Sequence, residues 1–262
     1  MTVFPCTEPM QTYAHYGQLA HKFGRMPGYA STVEQKEETM RKLIGVVVAS
    51  ALAVATLGGV ATAKAGNATL NVVHGIPGLT VDVCVDGATA IPDFAPGTVI
   101  TGVVVPEGSH EFKIVAQNGD CAGAGILVVV AGLKADKDYT AVANLNASGD
   151  PNLKLFKNNV KPVAKGTSRL TVRHTAAAPA VNVWANGAAL IGGSDFTWGK
   201  SATLAVPKGI YAAWVSLPGD YAPVIGPAVL QLKAGFAYQV YAWGDGTSGY
   251  DFAVVAIKVG TN

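Results

Sequence analysis

From residue 66 onward the apolar positions alternate or run β-branched in short stretches, and each stretch ends at a Gly or Pro. Leu70-Asn71-Val72-Val73-His74 and Val81-Asp82-Val83-Cys84-Val85 set the pattern, and the second stops at Asp86-Gly87. Such runs, bounded by turn residues, read as strands. Further strands are predicted at 98–105, 110–115, 125–131, 139–145 and 153–156. A second series follows at 168–174, 180–185, 201–206, 210–216, 227–232, 237–243 and 251–258. Helix-period segments are hard to find in this region. About seven short strands in each series, with turns every eight to twelve residues, predict an all-β protein of two tandem antiparallel β-sandwiches. Strand spacing leaves immunoglobulin-like and transthyretin-like topologies both open.

The two series are copies. Leu70, Val72, His74, Val81, Val83 and Gly87 return one hundred residues later as Leu170, Val172, His174, Val181, Val183 and Gly187. Phe94 and Gly97 answer to Phe196 and Gly199, and Val105-Pro106 with Gly108 to Val206-Pro207 with Gly209. Leu133-Lys134-Ala135 and Tyr139 answer to Leu232-Lys233-Ala234 and Tyr238. A period of this size is a small domain, not a solenoid unit. The repeats are placed at 66–160 and 168–262, joined by 161–167. That linker is short and polar, which predicts domains lying end to end. Pro-x-Gly at 106–108 and 207–209 predicts a tight hairpin. Tyr139 and Tyr238 are placed to bond the chain at a sandwich corner.

Before the repeats, Met40-Arg41-Lys42 is followed by an uncharged apolar run from Leu43 and by Ala61-Thr62-Ala63-Lys64-Ala65. A basic start, an apolar core and an A-x-A end make 40–65 a predicted signal peptide, with cleavage expected after Ala65. The expected location is therefore secreted, periplasmic or at the cell surface. Uncleaved, the same run is just long enough to span a bilayer, and membrane attachment is expected only in that case. Translation is expected to start at Met40, which leaves 1–39 as a mis-assigned or disordered leader.

Removing that segment changes the charge. After Ala65 there are 13 basic and 13 acidic side chains, a net charge of zero. No basic surface remains for a polyanion, so nucleic acid is not an expected partner. Two of the three cysteines, Cys84 and Cys121, fall in the first repeat. In an exported protein they are expected to form a disulfide.

The repeat openings carry a family likeness. Val72-Val73-His74 with Val81-Asp82-Val83-x-Val85-Asp86-Gly87, and Val172-Arg173-His174 with Val181-Asn182-Val183-Trp184-Ala185-Asn186-Gly187, resemble the opening of domain-of-unknown-function family 4397. Phe94–Thr98 and the Val-Pro-x-Gly turns fit the same pattern. Cys84 and Trp184 stand where that family usually has Tyr. The resemblance implies an exported bacterial envelope β-sandwich. It implies no reaction and no cofactor.

Candidate chemistry is sparse. His74 and His174 are either ligands or pH-sensitive contacts, or bond a backbone carbonyl in the loop that follows. The second reading weighs more, since no other His or carboxylate accompanies both. Asp82 and Asp86 become Asn182 and Asn186 in the second copy, which favours turn chemistry over metal binding or acid–base work. No nucleophile elbow, HExxH, P-loop or dinucleotide fingerprint occurs in the repeats. All four Trp lie in the second repeat, with five of the nine Tyr. Trp184, Trp214, Tyr241 and Trp243 either fill the core of a domain without a disulfide or form a ligand-binding face. The expected function is a non-enzymatic envelope module binding cell-wall polysaccharide or another envelope protein. The alternative is a hydrolase or other secreted enzyme whose site is not recognisable.

Overall fold

The computed structural model describes residues 66–192 and 195–262. The expected leader and signal peptide lie outside them. Every element among the described residues is a strand, and no helix long and apolar enough to cross a membrane occurs among them.

The first half contains β1 (Asn67–Gly75), β2 (Val81–Val85), β3 (Ala88–Phe94), β4 (Val99–Pro106), β5 (Gly108–Ala116), β6 (Leu127–Leu133), β7 (Asp138–Leu145) and β8 (Pro151–Lys157). The second contains β9 (Thr167–His174), β10 (Asn182–Ala185), β11 (Ala188–Ile191), β12 (Ser201–Pro207), β13 (Gly209–Ser216), β14 (Pro223–Leu232), β15 (Phe236–Asp245) and β16 (Gly249–Lys258). The sheets run β4-β1-β7-β8 and β3-β2-β5-β6, then β12-β9-β15-β16 and β11-β10-β13-β14. The second pair repeats the first strand for strand. This partition is not the ABED/CFG division of an immunoglobulin domain.

Each half has eight strands where about seven were expected. The additional ones, β3 and β11, are edge strands of their sheets. In β3, Ile91 and Phe94 are the buried positions and Pro92 interrupts the run. An edge tolerates a proline because one side of the strand makes no ladder bonds. Within the four sheets the strand pairings are antiparallel except β1 with β7 and β9 with β15, which are parallel. Those partners are separated by most of a half, ample length for a parallel crossover.

Turn chemistry sets the geometry. Asp86 and Gly87 have φ of 50° and 79°, and Asn186 and Gly187 have 48° and 81°. Two successive positive φ values make the type I′ turn that suits a two-residue hairpin. The Pro-x-Gly segments, by contrast, are not hairpins. Glu107 alone carries the chain from β4 in one sheet to β5 in the other, and Lys208 does the same between β12 and β13. Both tyrosine corners form: Lys134 N–H donates to Tyr139 Oη at 3.2 Å, and Lys233 N–H to Tyr238 Oη at 2.9 Å.

Each half has its own core, around Leu70, Val72, Ile114 and Phe94 in the first and around Leu170, Val172, Val183 and Phe196 in the second. A third apolar layer joins Val73 and Val142 of the first half to Tyr241, Ala253 and Val255 of the second. The halves therefore do not lie end to end. They pack face to face through the sheets holding β1 and β9. The linker allows this because it is tied back onto the chain: Arg169 Nη1 donates to the carbonyls of Asn159 and Lys161, and Val163 bridges to Thr261.

Candidate functional site

The sheet β11-β10-β13-β14 has one face on its core, through Val183 and Val215, and one turned outward. Trp184 and Trp214 are paired directly across β10 and β13, one position on from those core residues. Alternation along each strand therefore puts both on the outward face. Their rings are nearly parallel, at 11°, with centroids 5.9 Å apart. Trp184 Nε1–H donates to Ser216 Oγ at 2.9 Å. Tyr221, from the loop after β13, lies against Trp184 with centroids 4.3 Å apart and is 63% exposed. Ile210 and Val229, also on this sheet, are 67% and 66% exposed. The result is a three-ring cluster in which Trp184 is buried at 9% exposure, Trp214 is half-buried and Tyr221 is the exposed ring, flanked by the open side chains of Ile210 and Val229.

The same place in the first half is built differently. Cys84, at the counterpart of Trp184, forms a disulfide with Cys121 and packs on Val115. Lys113, opposite Cys84, donates through Nζ to the Cys121 carbonyl at 2.9 Å. The loop is thus stapled down over the outward face.

Tyr241 and Trp243 lie elsewhere. They share a face of β15, but that face meets the first half. Tyr241 has no exposed surface and packs on Phe156, with centroids 5.8 Å apart. The Arg173 guanidinium sits 4.2 Å from the Phe156 centroid and donates to Gln239 Oε1. Trp243 covers Gly75 and Gly97, where an added Cβ would come within 2.8 Å and 3.1 Å of it. Trp198 Nε1–H donates across to the Leu145 carbonyl at 2.9 Å. Three of the second half's aromatics therefore join the halves, and the remaining Trp pair belongs to the outward cluster.

Both repeated imidazoles are internal to their halves. His74 Nε2 lies 2.8 Å from the Leu79 carbonyl and His174 Nε2 lies 2.8 Å from the Pro179 carbonyl. Each thus ties down the loop after its strand. Burial pulls both pKa values below the usual histidine range, so the neutral form is held. His110 behaves oppositely. Burial pulls its pKa down, but the bonds to the Asp86 carboxylate and the Pro106 carbonyl outweigh that and raise it. Asp82 is spent on the chain: it accepts from Asp93 N–H at 2.8 Å and Asn118 N–H at 2.9 Å.

Tyr221 is the site residue that strand patterning does not reveal, because it sits in a loop. The repeat does hold a signal. Adding one hundred to Cys84 and Cys121 gives Trp184 and Tyr221.

Comparison with known families adds one match. Residues 68–184 fit the model described as "Domain of unknown function (DUF4397)", from β1 to the middle of β10. No curated protein matches the chain.

Proposed function

Taking residues 68–184 as a member of the domain-of-unknown-function family 4397, we propose that this chain is an exported, non-enzymatic β-sandwich protein that binds cell-wall polysaccharide. The observation that carries the reading is the outward cluster of Trp184, Trp214 and Tyr221. The exposed Tyr221 ring, backed by the two Trp, offers a flat apolar face with a polar edge that can lie on the apolar face of a sugar ring, and Tyr and Trp are enriched at binding interfaces. The exported region has balanced charge, which suits a neutral glycan better than a polyanion. Export is supported by the basic, apolar and A-x-A order of 40–65. A non-catalytic role is supported by the occupation of the histidines: the ring of each of the three in the repeats holds a backbone carbonyl.

The test is co-sedimentation of the purified protein with insoluble cell-wall polysaccharide, together with tryptophan fluorescence during titration with soluble wall fragments. Binding with a shift in emission is expected, with at least a tenfold loss in Tyr221→Ala at unchanged circular dichroism. No binding, or equal binding by the variant, overturns the proposal. N-terminal sequencing of protein recovered outside the cytoplasm tests export, and a start at Gly66 is expected.

A further inference from the structure

The repeats contain two Asn-Gly pairs, Asn118-Gly119 and Asn186-Gly187. A glycine nitrogen has no side chain in its way, so it can reach the Cγ of the asparagine before it and close a five-membered ring. The two pairs are held differently. Gly119 N–H donates to the Ala116 carbonyl at 2.7 Å, so the nitrogen that would attack is engaged. Gly187 N–H makes no hydrogen bond among the described residues. Asn186 is exposed, and its Oδ1 accepts from Ala212 N–H at 2.9 Å. That donor polarises Cγ and is already placed to hold the negative charge that collects on Oδ1 during attack. The hairpin around the pair is lightly held. β11 is a four-residue edge strand, and its pairing with β10 shifts register between Val183 and Trp184. Such an end opens locally at little cost, which lets Gly187 N approach.

The first half shows that the product fits. Asp86-Gly87 takes the same turn, with φ of 50° and 79° against 48° and 81° for Asn186 and Gly187. Asp86 Oδ1 accepts from Glu111 N–H at 2.9 Å, as Asn186 Oδ1 does from Ala212 N–H. An aspartate at position 186 therefore needs no rearrangement of the turn. Its charge would be another matter. Asp86 faces His110 at 2.7 Å, whereas the second half has Tyr211 there, with its hydroxyl donating to the Pro207 carbonyl.

We infer that Asn186-Gly187 is a site of spontaneous deamidation, and that in the folded protein it outpaces Asn118-Gly119. The Gly187 nitrogen gives up its proton and bonds to Asn186 Cγ. The Cγ–Nδ2 bond breaks and Nδ2 leaves as ammonia. Water then opens the resulting succinimide at one of its two carbonyls. One opening gives aspartate, and the other gives isoaspartate, with the main chain rerouted through the side chain. In sum, one water is consumed and one ammonia is released. The exported region passes from zero net charge to one negative charge. No cation faces that charge, and it lies two residues from Trp184. The inference does not depend on glycan binding.

The experiment ages the full exported chain at pH 8 and 37 °C, both folded and unfolded in guanidinium chloride. Peptide mapping reads the mass gain of an NH₂-to-OH exchange at each asparagine, and isoelectric focusing reads the acidic form. In the folded chain, position 186 is expected to react about fivefold faster than position 118, the cost of one neutral hydrogen bond at Gly119. In guanidinium chloride the two rates are expected to converge. Asn186→Asp is expected to fold and to run with the aged acidic form. A folded-state rate at 118 equal to or above that at 186 overturns the inference. So does an intact Asn186 in folded protein over a period in which the unfolded chain reacts there. If Asn186→Asp does not fold, the peptide map of the unmodified chain decides.

Discussion

Trp184 and Tyr221 meet ring to ring at 4.3 Å in the second half, at the two positions where Cys84 and Cys121 are bonded in the first. One loop is held by a covalent link and its counterpart by an aromatic contact. The link closes a loop of 37 residues, for which chain entropy gives about 4 kcal/mol. An aromatic pair adds about 1 kcal/mol beyond burial. Reduction, or the Cys84→Ala/Cys121→Ala variant, is therefore expected to destabilise by several times as much as Tyr221→Ala. Urea unfolding of the three forms measures this, and equal losses would contradict it.

The buried imidazoles predict acid sensitivity. His74 and His174 have folded pKa values lowered by burial, whereas the unfolded chain binds protons near pH 6.5. Below that pH the unfolded state takes up more protons, so stability is fully present above pH 6.5 and falls as the pH drops toward the depressed values. Unfolding midpoints measured from pH 7.5 to pH 4.5 are expected to decline. A His74→Gln/His174→Gln variant is expected to start lower and decline less steeply.

His110 and Asp86 should run the other way. Their side chains meet at 2.7 Å, and the second half holds Tyr211 and Asn186 in these places, uncharged. Tyr211 Oη still donates to the Pro207 carbonyl at 2.9 Å, and Asn186 Oδ1 still accepts from Ala212 N–H, so the geometry survives without charge. The raised His110 pKa makes its contribution complete below pH 6.5 and lost as the pH rises through the raised value. The bond to His110 lowers the Asp86 pKa, so its share is present above the usual carboxylate range and lost in stronger acid. Asp86→Asn is expected to remove this effect while keeping the turn, as Asn186-Gly187 does. Asp86 is half exposed, so the difference from the unmodified protein is expected to be under about 1 kcal/mol. It should be larger at pH 5.5 than at pH 9. A pH-independent difference would contradict it.

The repeat and its turns were legible because strand ends need Gly, Pro and Asp-Gly or Asn-Gly whatever surface the strand carries. The division into two sheets was not, since alternation tells which face is buried and not which neighbour is bonded. The face-to-face packing did leave a trace. Val72-Val73 and Ala141-Val142-Ala143 are continuous apolar runs, the mark of strands covered on both faces. The polar linker pointed elsewhere, because polarity reports solvent and not direction. Of the candidate cluster, Trp184 and Trp214 stood out by residue type, whereas Tyr221 becomes visible only when the repeat period is applied to Cys121.

The interface between the halves carries the last prediction. Tyr241 is fully buried there against Phe156, among Val73, Val142 and Val255. Truncating a buried aromatic removes its transfer energy and leaves a cavity, for a loss of about 3–5 kcal/mol. Tyr241→Ala is expected to lose that much, and Gly75→Ala to destabilise as well, because its Cβ would press on Trp243 at 2.8 Å. Neither residue is part of the aromatic face, so glycan binding by the folded fraction should persist. The same interface governs how the first half behaves on its own. Residues 66–160 would present Val73, Val99, Val142 and Phe156 to water, an apolar face that invites association. Expressed alone, this half is expected to self-associate or aggregate, and Val73→Thr/Val142→Thr is expected to make it more soluble. Sedimentation velocity reads both outcomes. A stable monomer of 66–160, together with a loss under 1 kcal/mol in Tyr241→Ala, would mean that the interface contributes little to the fold.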